Sequence, residues 1–217
     1  FDLSARQMGE IEKSDIIFLI GLEEIDGFLK KSAPAEKQVH LAGGIELLEA
    51  TAHSHEEEEE SMQEDEHHED EHTDEHTHDK DPHVWLGKDN ISQIAQKIRE
   101  ELSVILPEQA AYFSQNTEAF ITELKQIYTD FETQVAGKTP REFIVFHDAY
   151  NYLMQSVGMD LDLRVPFSEN VLHETGTAHM TELIEEIELH GVKYVFREPQ
   201  FSDGNLQSFA LEYNLSV

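Results

Sequence analysis

Thirteen histidines stand in a chain of 217 residues that has no cysteine, so transition-metal chemistry here must rest on imidazole and carboxylate rather than thiolate. Seven of them, His53, His55, His67, His68, His72, His76 and His78, fall between residues 53 and 81, among fifteen Asp or Glu and a single Lys. Neutral imidazole suits zinc, nickel and copper, and dense carboxylates lower the cost of bringing a divalent cation close. The spacing is irregular and the stretch reads as a mobile loop inserted in a folded domain. An ion bound there must order its own site, so weaker and less selective capture is expected. A solubilising low-complexity insert is the bland alternative, and metal capture is the favoured reading.

Two other histidines are framed differently. His83 lies between Pro82, which restricts the backbone, and the apolar pair Val84 and Trp85. His147 directly follows EFIVF, at the carboxyl end of a predicted strand, with Asp148 next in sequence. A strand-end histidine with only a structural role is the alternative for each. Together they suggest one metal site in a cleft, zinc wanting about four ligands. Glu198 follows the predicted strand VKYVF and suits an acceptor for an imidazole N–H, with Asp148 a second candidate for that role. His173, His179 and His190 have weaker claims; exposed helix histidines are the plain reading of His179 and His190.

The elements that must position these residues alternate. DIIFLIG at 15–21, a short segment at 38–41, EFIVF at 142–146 and VKYVF at 192–196 read as strands. Apolar periodicity predicts helices over 4–14, 23–31, 148–157, 178–189 and 204–213, with 160–176 irregular. Between 90 and 137 helical spacing continues for about 45 residues, which at 1.5 Å per residue reaches roughly 65 Å if straight, with Pro107 the place for a bend. This pattern predicts an α/β protein of two lobes, with parallel sheets flanked by helices, joined by a long backbone helix. The expected division is an N-terminal lobe over 1–87 that carries the loop 53–81, a linking helix over 88–137 and a C-terminal lobe over 138–217. Ligands of open α/β sheets bind beyond the carboxyl ends of the strands.

Composition narrows the partners. The formal net charge is -31, and residues 53–81 contribute -14 of it, so the remainder carries -17. Such a surface repels nucleic acid and anionic membranes and attracts cations. No apolar run approaches the length of a membrane span and no signal peptide is visible, while the chain opens at Phe1 without a starter Met and reads as cut at both ends.

The blocks FDLSARQ at 1–7, DPHVWLGKDN at 81–90, VFHDAYNYL at 145–153 and REPQFSDGNL at 197–206 run through nearly the whole chain. As a set they resemble the zinc-binding solute-binding proteins of metal ABC importers, whose zinc-selective branch also carries a His- and acid-rich loop between the first two blocks. The resemblance implies two lobes joined by a long helix with the metal between them. It puts the second and third ligand histidines on His83 and His147, the first before Phe1 and a final Asp beyond Val217. Manganese-selective relatives place a carboxylate where this chain has His147, which favours zinc. The segment LRVPFSENVLHETGTAH departs from the family pattern, leaving the roles of His173 and His179 open. The resemblance further implies Zn2+ as the bound ion and an ABC permease as partner. It places the protein, as a monomer, in the periplasm or on the outer face of the cytoplasmic membrane. The rivals are a zinc-dependent hydrolase and a metal-linked surface adhesin. The first is disfavoured because no H-E-x-x-H or G-x-S-x-G stretch is present, and no enzymatic activity is expected.

Overall fold

A computed structural model describes residues 3–49, 80–138, 143–145, 148–159, 164–166, 177–199 and 204–217. Helix α1 (Ala5–Lys13) starts from Ser4, whose side chain accepts from the Gln7 amide while the Gln7 side chain accepts from the Ser4 amide. This reciprocal cap satisfies two N–H groups that a helix start leaves unpaired, and it carries the helix through Gly9. Strand β1 (Ile17–Leu19) follows, then α2 (Glu23–Ser32) and β2 (Gln38–His40), with β1 and β2 paired in parallel and Ile17 opposite Gln38. The turn after β1 is made by Gly21, whose φ of +92 favours glycine and whose amide donates to the buried Asp26 carboxylate.

In the C-terminal half β3 (Phe143–Val145) pairs in parallel with β4 (Arg164–Pro166), Phe143 opposite Arg164. The remaining helices are α5 (Asn151–Ser156), α6 (Thr177–His190) and α7 (Gly204–Glu212). Strand β3 is buried along its whole length because it also has a neighbour on its other side: Ile144 bridges Val195 in parallel, and Tyr194 bridges Ser216. Both of its faces are covered as well, Ile144 by residues of α6 and α7 and Phe143 and Val145 by Met154, which is why it reads as an unbroken apolar run. Two sequence expectations change here. VKYVF forms isolated bridges at Tyr194 and Val195 rather than a full strand, its Tyr194 and Phe196 side chains being exposed. Arg164–Pro166, expected to be irregular, supplies the strand beside β3. A core of Ile144, Leu183, Ile187, Val192, Val195, Leu206, Phe209 and Ala210 holds α6 and α7 to this sheet.

The helical run between the halves is α3 (Lys88–Ile105) and α4 (Ala110–Val135), not one rod. Pro107 cannot donate its missing amide and pushes the residue before it out of the helical region; Leu106 accordingly sits at φ -127, ψ 68, and a 3-10 turn covers Pro107–Gln109. The chain then doubles back. The Tyr128 hydroxyl in α4 donates to the Leu86 carbonyl just ahead of α3, at 2.7 Å, so the two helices form an antiparallel hairpin. Among the described residues no helix is long and apolar enough to cross a membrane.

The acidic insert begins and ends at a closed neck. Glu49 and Lys80 form an antiparallel bridge, their side chains make an ion pair, and the Asp81 amide donates to the Leu48 carbonyl at 2.9 Å. Lys80 and Asp81, which composition counts with the insert, are thus paired with Glu49 and Leu48.

Candidate metal centre

The best-defined part of the centre is the turn Asp81–Pro82–His83. One carboxylate oxygen of Asp81 accepts from the His83 amide at 2.9 Å and lies 2.7 Å from the ring Nδ1 of the same residue. Asp, Asn, Ser and Thr side chains commonly bond the amide two residues on, which bends the backbone and brings the following side chain around. Here the same oxygen also engages the ring. An imidazole that donates its Nδ1–H to a carboxylate carries its lone pair on Nε2, the form that binds a metal, with its orientation fixed. Trp85 packs edge-on against the His83 ring, with centroids 5.4 Å apart. Residues Val84–Leu86 form a 3-10 turn whose Val84 is completely buried, and the turn anchors His83 to the core.

Asp81 is 1% exposed. Its second carboxylate oxygen is also buried and has no hydrogen-bond partner among the described residues. A buried anion needs a compensating positive charge or a donor. A divalent cation on the far nitrogen of His83 would supply such a charge.

Helix α5 packs against this turn. Gly87 allows the approach, since a Cβ there would lie 2.8 Å from the Asn90 side chain and 3.3 Å from the Tyr152 Cβ. Tyr152 joins Ala42, Ile45 and Val84 in the N-terminal core although it comes from the other half of the chain. Its hydroxyl accepts from the Leu48 amide and donates to the Asp81 carbonyl, both at 3.0 Å. The Lys88 amide donates to the Ser156 hydroxyl at 3.0 Å, a second tie between α5 and the start of α3.

His147 lies outside the described residues, as do His53, His55, His67, His68, His72, His76, His78 and His173. On either side of His147, β3 ends at Val145 and Asp148 has one carboxylate oxygen buried. Glu198 is buried at 7% exposure. Burial raises the Tyr150 phenol above its ordinary range, and the Glu198 carboxylate raises it further. His190 pairs with Glu186 at 3.2 Å one helical turn earlier, the plain surface role expected of it. Among the described residues no group of three or more His, Asp and Glu side chains converges on a common point.

The sequence profile described as "Zinc-uptake complex component A periplasmic" matches residues 1–217. The chain belongs to that family. It is 31% identical over 135 residues to the high-affinity zinc uptake system protein ZnuA of Haemophilus influenzae, covering 62% of this chain and 40% of that protein. It is 26% identical over 221 residues to the zinc-binding protein AdcA of Streptococcus pyogenes, covering 98% of this chain and 41% of that one. The chain thus spans about two fifths of the length of these relatives. A crystal structure of ZnuA superposes with a TM-score of 0.78 at 23% identity, covering 99% of this chain and 75% of its own. That likeness establishes the α/β fold. The family is one of transport components, which agrees with the four blocks read from the sequence.

Two residues of the centre were not singled out by spacing. Asp81 closes the acidic stretch 53–81 and opens the block DPHVWLGKDN, and Tyr152 falls within the predicted helix 148–157 and the block VFHDAYNYL. The D-P-H order itself was the available signal for Asp81, because an Asp two residues before a histidine can cap that histidine's amide.

Proposed function

We propose that this chain is the metal-binding part of an extracytoplasmic protein that captures zinc and delivers it to an ABC permease in the membrane. Zinc is the cargo. His83 and His147 are ligands from opposite halves of the chain. Asp81 holds His83 in its metal-binding form, and Glu198 with Asp148 supports the His147 side. The histidines of the insert gather ions near the cleft with lower affinity. The observation that carries the reading is the pair Asp81–His83: a buried carboxylate on the Nδ1 of a packed imidazole is the arrangement that orients zinc-ligating histidines. Family membership supports zinc over other divalent ions.

Competitive zinc titration of the intact protein tests this. Wild type, a variant lacking the insert, His83→Ala and His147→Ala are compared. Loss of the tight site in both single variants, with the site kept in the loop-deleted form, is the expected result. A tight site that survives His147→Ala but disappears with the insert would overturn the assignment. A screen for phosphatase and esterase activity with added zinc separates it from the hydrolase rival.

A further inference from the structure

In an antiparallel sheet, two residues in a hydrogen-bonded pair exchange both of their backbone bonds. Leu48 and Asp81 stand in that register, one step in from the Glu49–Lys80 bridge. They make only one of the two bonds directly, from the Asp81 amide to the Leu48 carbonyl at 2.9 Å. The other pair of groups, the Leu48 amide and the Asp81 carbonyl, is joined through the Tyr152 hydroxyl, which accepts from the first and donates to the second at 3.0 Å each. A side chain from the C-terminal half has been inserted into a backbone pair of the N-terminal half.

The location gives this insertion a consequence. The carbonyl Tyr152 holds belongs to Asp81, the residue whose carboxylate grips both the amide and the ring of His83. Tyr152 itself comes five residues after His147. We propose that Tyr152 is a positioning residue for zinc capture: its hydroxyl fixes the His83-bearing turn against the helix that follows His147. The Tyr152 side chain is 2% exposed and packed in the N-terminal core, so the hydroxyl has little room to leave the pair. Water does not substitute readily at so buried a position. Removing the hydroxyl leaves an amide and a carbonyl without partners on the two sides of the neck. This inference rests on the zinc-site reading above.

The test is Tyr152→Phe in the intact protein, which keeps the ring and its packing. Two readouts are needed: zinc affinity by competitive titration, and amide hydrogen exchange at Leu48 in the metal-free protein. Ser156→Ala is the matched control, because it removes a bond between the same helix and the start of α3, reaching Lys88 rather than Asp81. The expected result for Tyr152→Phe is faster exchange at Leu48 and zinc affinity lower by roughly ten- to a hundredfold, as for other groups that orient a metal ligand. Ser156→Ala is expected to stay within about twofold of wild type in zinc affinity. Faster exchange at Leu48 with unchanged zinc affinity would overturn the proposal, and so would an equal loss of affinity in Ser156→Ala, which marks a general loss of stability. His83→Ala in the same titration separates the two levels. If it kept wild-type affinity, the zinc-site reading would fall and this inference with it. If it lost affinity while Tyr152→Phe did not, only the role of Tyr152 would fall.

Discussion

The hydroxyl of Tyr128 donates to the carbonyl of Leu86 across 42 positions of sequence, and this one bond closes the α3–α4 hairpin at its open end. Tyr128 is buried along the seam between the helices. Tyr128→Phe keeps that packing and strands the Leu86 carbonyl, so an unfolding free energy lower by about 1 kcal/mol is expected. Denaturant titration measures it. A change below a few tenths would mean that water replaces the hydroxyl and that packing alone holds the hairpin.

Asp81→Asn tests the histidine geometry. The amide retains an acceptor for the His83 N–H groups but has no charge with which to raise the basicity of the ring. A loss of zinc affinity of about tenfold, toward the low end for such outer-shell partners, is the expected outcome. Asp81→Ala should lose more, since it also abolishes the cap on the His83 amide. Equal affinities for Asp81→Asn and wild type would show that the carboxylate serves the turn and not the metal.

Gly21→Ala places a side chain where the backbone has φ +92 and where its Cβ meets the His40 Cβ at 2.9 Å. Both terms act in the same direction. Destabilisation of more than about 1 kcal/mol is expected by thermal or chemical unfolding, because Ala at a positive φ is strained even in open space. Stability equal to wild type would indicate that β1 and β2 separate at little cost.

Alkaline pH should weaken the fold. Burial raises the phenols of Tyr128 and Tyr150, and Glu198 adds to the effect at Tyr150. Tyr152 is raised chiefly by burial, with the Leu48 amide opposing and the Asp81 charge assisting. Each folded-state value lies above the unfolded one, so the folded chain holds these protons more tightly. Their contribution is complete below the ordinary phenol value of about 10 and is lost as pH rises through the folded values. Denaturant midpoints measured from pH 8 to 11 should fall at the top of that range, and less steeply in Tyr128→Phe. A flat profile would count against burial as the cause.

Sequence carried β1 and β3 further than it carried their connections. DIIFLIG and EFIVF were legible as unbroken apolar runs, and β1 and β3 form where those runs lie, β3 buried throughout and β1 at Leu19. Helical spacing identified both α3 and α4, but periodicity records only which face is apolar and says nothing about direction. Pro107 marked the break, while the reversal depends on Tyr128 meeting Leu86. Three-residue β4, with Pro166 inside it, is too short to show any period and takes its conformation from β3. Asp81 was hidden for a different reason. Its type matches that of the acidic residues before it in sequence, and only the pairing of Leu48 and Glu49 with Lys80 and Asp81 marks its carboxylate as buried.

The neck at Glu49 and Lys80 has a bearing on how such a chain changes over generations. The insert leaves and rejoins the fold at neighbouring points, so residues added or lost between them alter neither the start of the Asp81–His83 turn nor the Leu48 pairing. Closing a segment at fixed adjacent ends costs only about 0.6 kcal/mol more for each doubling of its length. Its histidines and acids can therefore multiply, dwindle or be replaced wholesale, as a graft is changed without disturbing the rootstock.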